Sequence, residues 1–125
     1  VNHGEQLARA IATKDSAALL SLLDPQVDFK GLTPHRFWEG ASSQEVLDVL
    51  LGHWFEPHDQ VTAIEAIETS TVADRERLTY RFHVSSHVGG LGEELVTEQQ
   101  AYFTVQDGRI NYLRMMCSGF RPTAP

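Results

Sequence analysis

The chain has 125 residues, 42% hydrophobic and 22% charged, which is enough to bury a sizeable core and leads us to expect one domain over residues 1–125. Ten Lys and Arg against seventeen Asp and Glu leave a formal charge of -7, which argues against nucleic acid and an anionic membrane as partners, because both need a concentrated basic surface. No apolar run reaches transmembrane length, the N-terminal residues lack signal-peptide order, and the lone Cys117 rules out an internal disulfide, so a cytoplasmic protein is expected.

Asn2 with Glu5 three residues on has the form of a capping box, and Leu7, Ala8 and Ile11 give the following helix an apolar stripe. Asp15 caps a second helix with Ala18, Leu19, Leu22 and Leu23 at helical spacing, and Asp24-Pro25 ends it. Val27 and Phe29 mark a short strand, turned by Thr33-Pro34-His35 into a second one, Arg36 to Glu39. A third helix starts near Ser42 or Ser43, with Val46, Leu47, Leu50, Leu51 and Trp54 on one face, and Glu56-Pro57-His58-Asp59 ends it. From Gln60 the pattern is extended. Val61 to Ser70 and Arg75 to His87 are strands joined by Val72-Ala73-Asp74, Val88 to Gly92 is a flexible connection, and residues from Phe120 onward form a tail.

The stretch from Glu94 to Cys117 forms a hairpin about Asp107-Gly108, a pair suited to a two-residue type I′ turn. Without a bulge, one face pairs Val105 with Ile110, Phe103 with Tyr112, Ala101 with Arg114 and Gln99 with Met116. The other pairs Thr104 with Asn111, Tyr102 with Leu113, Gln100 with Met115 and Glu98 with Cys117. Helices in the first half and antiparallel strands in the second make an α+β domain.

This order, with Trp38-Glu39-Gly40 before the third helix and Tyr102 to Ile110 around the turn, resembles the nuclear transport factor 2-like superfamily, which includes the SnoaL-like cyclases and the ketosteroid isomerases. The resemblance implies a cone-shaped barrel, a curved and mainly antiparallel mixed sheet wrapped around three helices, with a hydrophobic pocket on its concave side. It turns Glu98, Gln100, Tyr102, Leu113, Met115 and Cys117 inward and puts Gln100 where the isomerases keep a protonated acid that donates to the substrate oxyanion; a glutamine amide also donates. The isomerase general base and tyrosine fall at Phe29 and near Leu7, so neither is kept, and Asp28 points the other way by strand alternation.

Two readings follow. The first is a small enzyme moving a proton on a small, mostly apolar carbonyl compound, with Glu98 or one of His35, His53, His58 and His83 as acid/base and Gln100 and Tyr102 as polarising donors. The second is a non-catalytic ligand-binding or assembly module of the same fold. In both, Phe29, Trp38, Trp54, Tyr80, Leu113, Met115 and Cys117 contribute to the pocket, and neither a cofactor nor a metal is expected, because no third ligand accompanies His83 and His87 at a recognisable spacing. Apolar side chains on both hairpin faces call for a second covering layer, so a homodimer is expected through the convex face at Phe103, Tyr112, Arg114 and Met116.

Overall fold

The computed structural model describes residues 2–88 and 91–123. Helices α1 (His3–Ala12) and α2 (Ser16–Leu22) lead directly into β1 (Leu23–Thr33) and β2 (Arg36–Gly40). Helix α3 (Ser43–Leu47) runs on as a π-helical segment (Asp48–Trp54). The rest is β3 (Asp59–Val72), β4 (Arg75–Val88), β5 (Leu91–Gln106), β6 (Arg109–Cys117) and a two-residue β7 (Arg121–Pro122). Of the expected flexible connection, Gly89 and Gly90 lie outside the described residues, as do Ala124 and Pro125 of the expected tail.

The helix starts follow from side-chain oxygens that accept otherwise unpaired N–H groups. Asn2 Oδ1 accepts from Glu5 N at 3.1 Å and Asp15 Oδ1 from Ala18 N at 3.0 Å. At α3 the exchange is reciprocal, with Ser42 Oγ accepting from Glu45 N and the Glu45 carboxylate accepting from Ser42 Oγ and Ala41 N. The π-helical widening ends where Phe55 N donates to Leu50 O at 2.9 Å. An extra residue in the turn brings both Trp54 and Phe55 into the core, where a uniform α-helix would favour only one of two neighbours.

The strand order is β2-β1-β6-β5-β4-β3, with β7 on β5; β1 and β6 are parallel and every other pair is antiparallel. The end strands β2 and β3 do not pair with each other, so the curved sheet remains an open cone. Helix α1 lies against β3 and β4, α2 against β1 and β6, and α3 against β1 and β2, leaving the N-terminal part of β5 to be covered by other means. Among the described residues no helix is long and apolar enough to cross a membrane.

The expected tail pairs as β7, the expected connection shortens because β4 runs to Val88 and β5 starts at Leu91, and two further expectations change. The second helix stops at Leu22 rather than at Asp24-Pro25, and β1 begins at once; Asp24 Oδ1 instead accepts from Gln26 N at 2.8 Å, in a local turn where the β1–β6 register shifts. The hairpin also differs. Asp107 (φ 54) and Gly108 (φ 79) make the expected turn and Val105 faces Ile110, but Thr104 then faces Tyr112, so Asn111 is an extra residue in β6. From there Phe103 faces Leu113, Ala101 faces Met115 and Gln99 faces Cys117, each one place from the unbulged pairing. Asn111 secures the bulge with its own amide, accepting from Thr104 Oγ1 at 2.7 Å and donating to Gln106 Oε1 at 3.1 Å.

At Gly31 a Cβ would stand 2.9 Å from Trp54 Cζ2 and 3.0 Å from Phe29 Cζ, whereas at Gly52 it would meet nothing within 4 Å. Gly31→Ala is therefore expected to lower unfolding stability in urea by about 1–3 kcal/mol through overpacking. Gly52→Ala, in a helical segment facing open space, should leave stability unchanged or raise it by up to about 1 kcal/mol.

Candidate functional site

The inner face of the cone packs aromatic rings around a small polar centre. Tyr80 and Phe82 of β4 stack at 4.4 Å, Phe82 meets Phe55 at 5.9 Å, and Phe55 meets Phe120 edge-on at 5.5 Å. On the β1 side Trp54 packs between Phe29 (6.2 Å) and Trp38 (6.4 Å), and the half-buried Trp38 donates from Nε1 to Thr33 Oγ1 at 2.8 Å. Within these walls Tyr80 OH donates to Gln99 Oε1, and Gln99 Nε2 donates to Cys117 Sγ at 3.3 Å. The same sulfur lies 3.4 Å from Thr97 Oγ1 and accepts from Gly119 N at 3.4 Å.

None of these groups is a carboxylate or a cation. Burial, reinforced by Cys117, pushes the Tyr80 phenol well above its ordinary range and keeps it a donor. Trp54 Nε1 is buried and, among the described residues, has no hydrogen-bond partner. Its ring lies over Gly31, which pairs with Met115, two residues from Cys117 on β6. The arrangement thus offers a surplus of neutral donors in an aromatic setting, suited to holding and polarising an acceptor oxygen.

Of the residues singled out in the sequence, Phe29, Trp54, Tyr80, Leu113, Met115 and Cys117 are buried on this inner side, and Trp38 packs at its edge. Glu98, Gln100 and Tyr102 are not brought to it. Strand alternation through the Asn111 bulge places all three on the outer face, and the inward residue of that stretch is Gln99, 2% exposed, with Thr97 one step below. The sequence carried a signal for this: the apolar positions of β6 run Ile110, Leu113, Met115, Cys117, and the odd step from 110 to 113 breaks the period of two.

On the outer face Glu98 Oε1 binds Arg81 at 3.1 Å and Arg121 at 2.9 Å, so its carboxyl is held below the usual range, chiefly by Arg81. Gln100 Oε1 accepts from Tyr102 OH at 3.5 Å, and Arg114 lies over the Tyr112 ring and pairs with Asp28 at 3.2 Å. A groove of about 500 Å³ runs past Glu65, Arg81 and Glu98 and also touches Tyr80, Gln99 and Cys117.

The four histidines scatter. His35 occupies an exposed turn at φ 75, His53 lies 5.3 Å from the Trp38 ring, and His83 bonds Glu65 outside. His58 Nε2 lies 3.5 Å from Asp59 Oδ1 and 3.7 Å from Glu56 Oε2. Glu56, His58 and Asp59 each offer a ligand atom within 4.8 Å of the others, but Asp59 already accepts from Ser86 Oγ (2.7 Å) and Glu56 N (3.1 Å), the bonds of a closed turn.

No family model and no curated protein sequence matches the chain. Solved structures do. A candidate isomerase from Rhodopseudomonas palustris superposes with TM-score 0.71 at 17% identity, covering 92% of this chain and 85% of that one. A candidate polyketide cyclase from Pseudomonas putida gives 0.67 at 16% identity, with 92% and 90% covered. An NTF2-like protein with a cystatin-like fold from Novosphingobium aromaticivorans gives 0.60 at 13%, with 90% and 77% covered. The chain thus has the nuclear transport factor 2-like cone shared with SnoaL-like proteins, and likeness at this identity speaks for the fold.

Because the folded Glu98 carboxyl titrates below its unfolded value, its contribution to stability is complete above the ordinary carboxylate pKa and is lost as pH falls through the depressed one. Thermal melts of Glu98→Gln should fall below wild type at neutral pH by the few degrees that up to about 1 kcal/mol from a largely exposed pair produces. The two melting curves should converge in acid once Glu98 is protonated.

Proposed function

We propose that this protein binds a small, mostly apolar carbonyl compound inside the cone, with Gln99, Tyr80 and Trp54 as neutral donors and Phe29, Phe55, Phe82 and Met115 as walls. The observation that carries this reading is the Trp54 Nε1 hydrogen, buried without an acceptor, since leaving such a donor unmatched costs about 1–3 kcal/mol. Gln99 Nε2 adds to it, because its partner is sulfur, a weak acceptor that a carbonyl oxygen improves on.

Binding is favoured over proton transfer because, among the described residues, no carboxylate belongs to the polar centre itself, and Glu98 and Glu65 on the groove beside it are paired with Arg81 and His83. Among the described residues the one buried carboxylate is Asp59, already held by Ser86 and Glu56 N, and none of the central polar groups is a carboxylate. Cyclase or isomerase chemistry of the kind named for the structural neighbours would need such a group. The free Cys117 thiol fits the reducing conditions of a cytoplasmic setting.

The test is an NMR titration with a bicyclic ketone, decalone, against the hydrocarbon decalin. Decalone should move the Trp54 indole and Gln99 carboxamide resonances, and Gln99→Leu should weaken it about tenfold, the equivalent of one hydrogen bond. Equal shifts from decalin, or shifts confined to the outer face, would overturn the reading.

A second, compatible role is assembly. The outer face exposes Leu32 (44%), Phe37 (52%) and Met116 (57%) around an apolar hollow of about 310 Å³ that also touches Tyr102 and Lys30. We propose that a second copy covers this patch across a two-fold axis, because antiparallel sheets normally present a polar face to water. The surface proposed here keeps Tyr112, Arg114 and Met116 of the expected set and leaves out Phe103. Phe103 is 1% exposed and lies inside, whereas Tyr112, Arg114 and Met116 are outside and Leu32 and Phe37 join them. Sedimentation equilibrium at micromolar concentration should give twice the 14.0 kDa chain mass, and Met116→Glu should halve it. A 14.0 kDa wild-type species would sink the dimer.

A further inference from the structure

The interior is closed at one end by neither a helix nor the main sheet but by residues 118–123. Strand β6 ends at Cys117, and the chain turns at Gly119, whose φ of 79 favours glycine and where a Cβ would stand 3.1 Å from Pro34 Cγ. Ser118 N donates to Glu98 O and Glu98 N to Ser118 Oγ, both at 2.9 Å. The chain then pairs again with β5 for only two residues, Arg121 opposite Val96 and Pro122 opposite Leu95, and Pro122 has no N–H to give. Arg121 Nη2 holds Glu98 Oε1 at 2.9 Å on the outside, and the half-buried Phe120 rests on the fully buried Phe55 on the inside.

This closure has few ties: besides the two Ser118 bonds to Glu98, it adds one from Thr123 N to Glu94 O at 3.4 Å. One ring, one exposed ion pair and a two-residue strand belong to the low end of the local stability range, whereas β4, β5 and β6 are held by long ladders. The closure also touches the polar centre directly, since Gly119 N donates to Cys117 Sγ. We infer that residues 118–123 form a gate that swings about Gly119, withdrawing Phe120 from Phe55 and widening the access to Cys117, Gln99 and Tyr80 that the groove beside Ser118 begins. Closed, the gate puts the chain's own phenyl ring at the edge of the aromatic core, so an entering apolar ligand competes with Phe120 for the Phe55 wall. The ligand half of this statement rests on the function proposed above, but the gate itself is testable without any ligand.

The reporter is Cys117, the one cysteine of the chain, buried behind the gate. Alkylation of the full chain by iodoacetamide is followed by mass spectrometry, each rate divided by that of the same variant unfolded in urea. Phe120→Ala and Arg121→Ala should each raise the normalised rate tenfold or more, and the rate should depend only shallowly on urea below the unfolding transition, because gate opening exposes little surface. Arg9→Ala removes an ion pair of similar exposure, to Glu5 on α1, and should leave the rate unchanged. Wild-type rates in both gate variants, or an acceleration with the steep urea slope of global unfolding, would overturn the gate. Should Phe120→Ala fail to fold, Arg121→Ala decides alone, because its side chain is exposed. A fast-labelling variant in a protein that ignores decalone would leave the gate standing and remove only the ligand.

Discussion

What the cone encloses is settled by one backbone irregularity, the extra residue Asn111 in β6. The apolar sets of the two hairpin strands are out of phase: Ala101, Phe103 and Val105 on β5, Leu113, Met115 and Cys117 on β6. An unbulged hairpin would therefore pair Phe103 with Tyr112 and Ala101 with Arg114, and either bury a guanidinium or expose Phe103 to water. The bulge brings both sets to one face. It sits where the polar groups it disturbs have partners at hand, since Thr104 and Gln106 take up the Asn111 amide.

The slip also sorts charge. Outside lie Arg81, Glu98 and Arg121 in one network, Glu65 with His83 in another, and Asp28 with Arg114 in a third. Inside lie an amide, a phenol, a thiol and a hydroxyl, whose desolvation is offset by hydrogen bonds where an unpaired ion's would not be. A core that packs Phe29, Phe55, Phe82 and Trp54 tolerates such a centre because no member is a carboxylate or a cation, and for the same reason the centre lacks a carboxylate base.

Much of this was legible in the sequence, for reasons that can be given residue by residue. Asn2, Asp15 and Ser42 cap helices because their oxygens have no better local partner, and Asp107-Gly108 turns because both residues accept positive φ. Helical and strand periods gave the fold class, since period reports burial. The sequence turns Gln100 inward whereas the buried amide is Gln99, because register is a cumulative property: a correct turn fixes Val105 opposite Ile110 and nothing beyond the next bulge. The end of the chain has the look of a tail in the sequence because Phe120-Arg121-Pro122 has no period to report; its order comes from Phe55 and Glu98, both distant in sequence.

Two opposed side chains give that last segment its mechanical character. Phe120 and Arg121 are neighbours whose side chains leave in opposite directions, one to Phe55 in the core and one to Glu98 on the charged outer surface. An ion pair in water and a ring in the core are thus bound to the same short piece of chain, and neither can be released without loosening the other. The ring resists withdrawal through burial, a term insensitive to salt, whereas Arg121 and Glu98 are screened by it. Glu98, on the outer face, therefore bears on the interior through the backbone it anchors: its N–H and carbonyl hold Ser118 while its carboxylate holds Arg121, so both ends of the turn at Gly119 are fastened to one residue of β5.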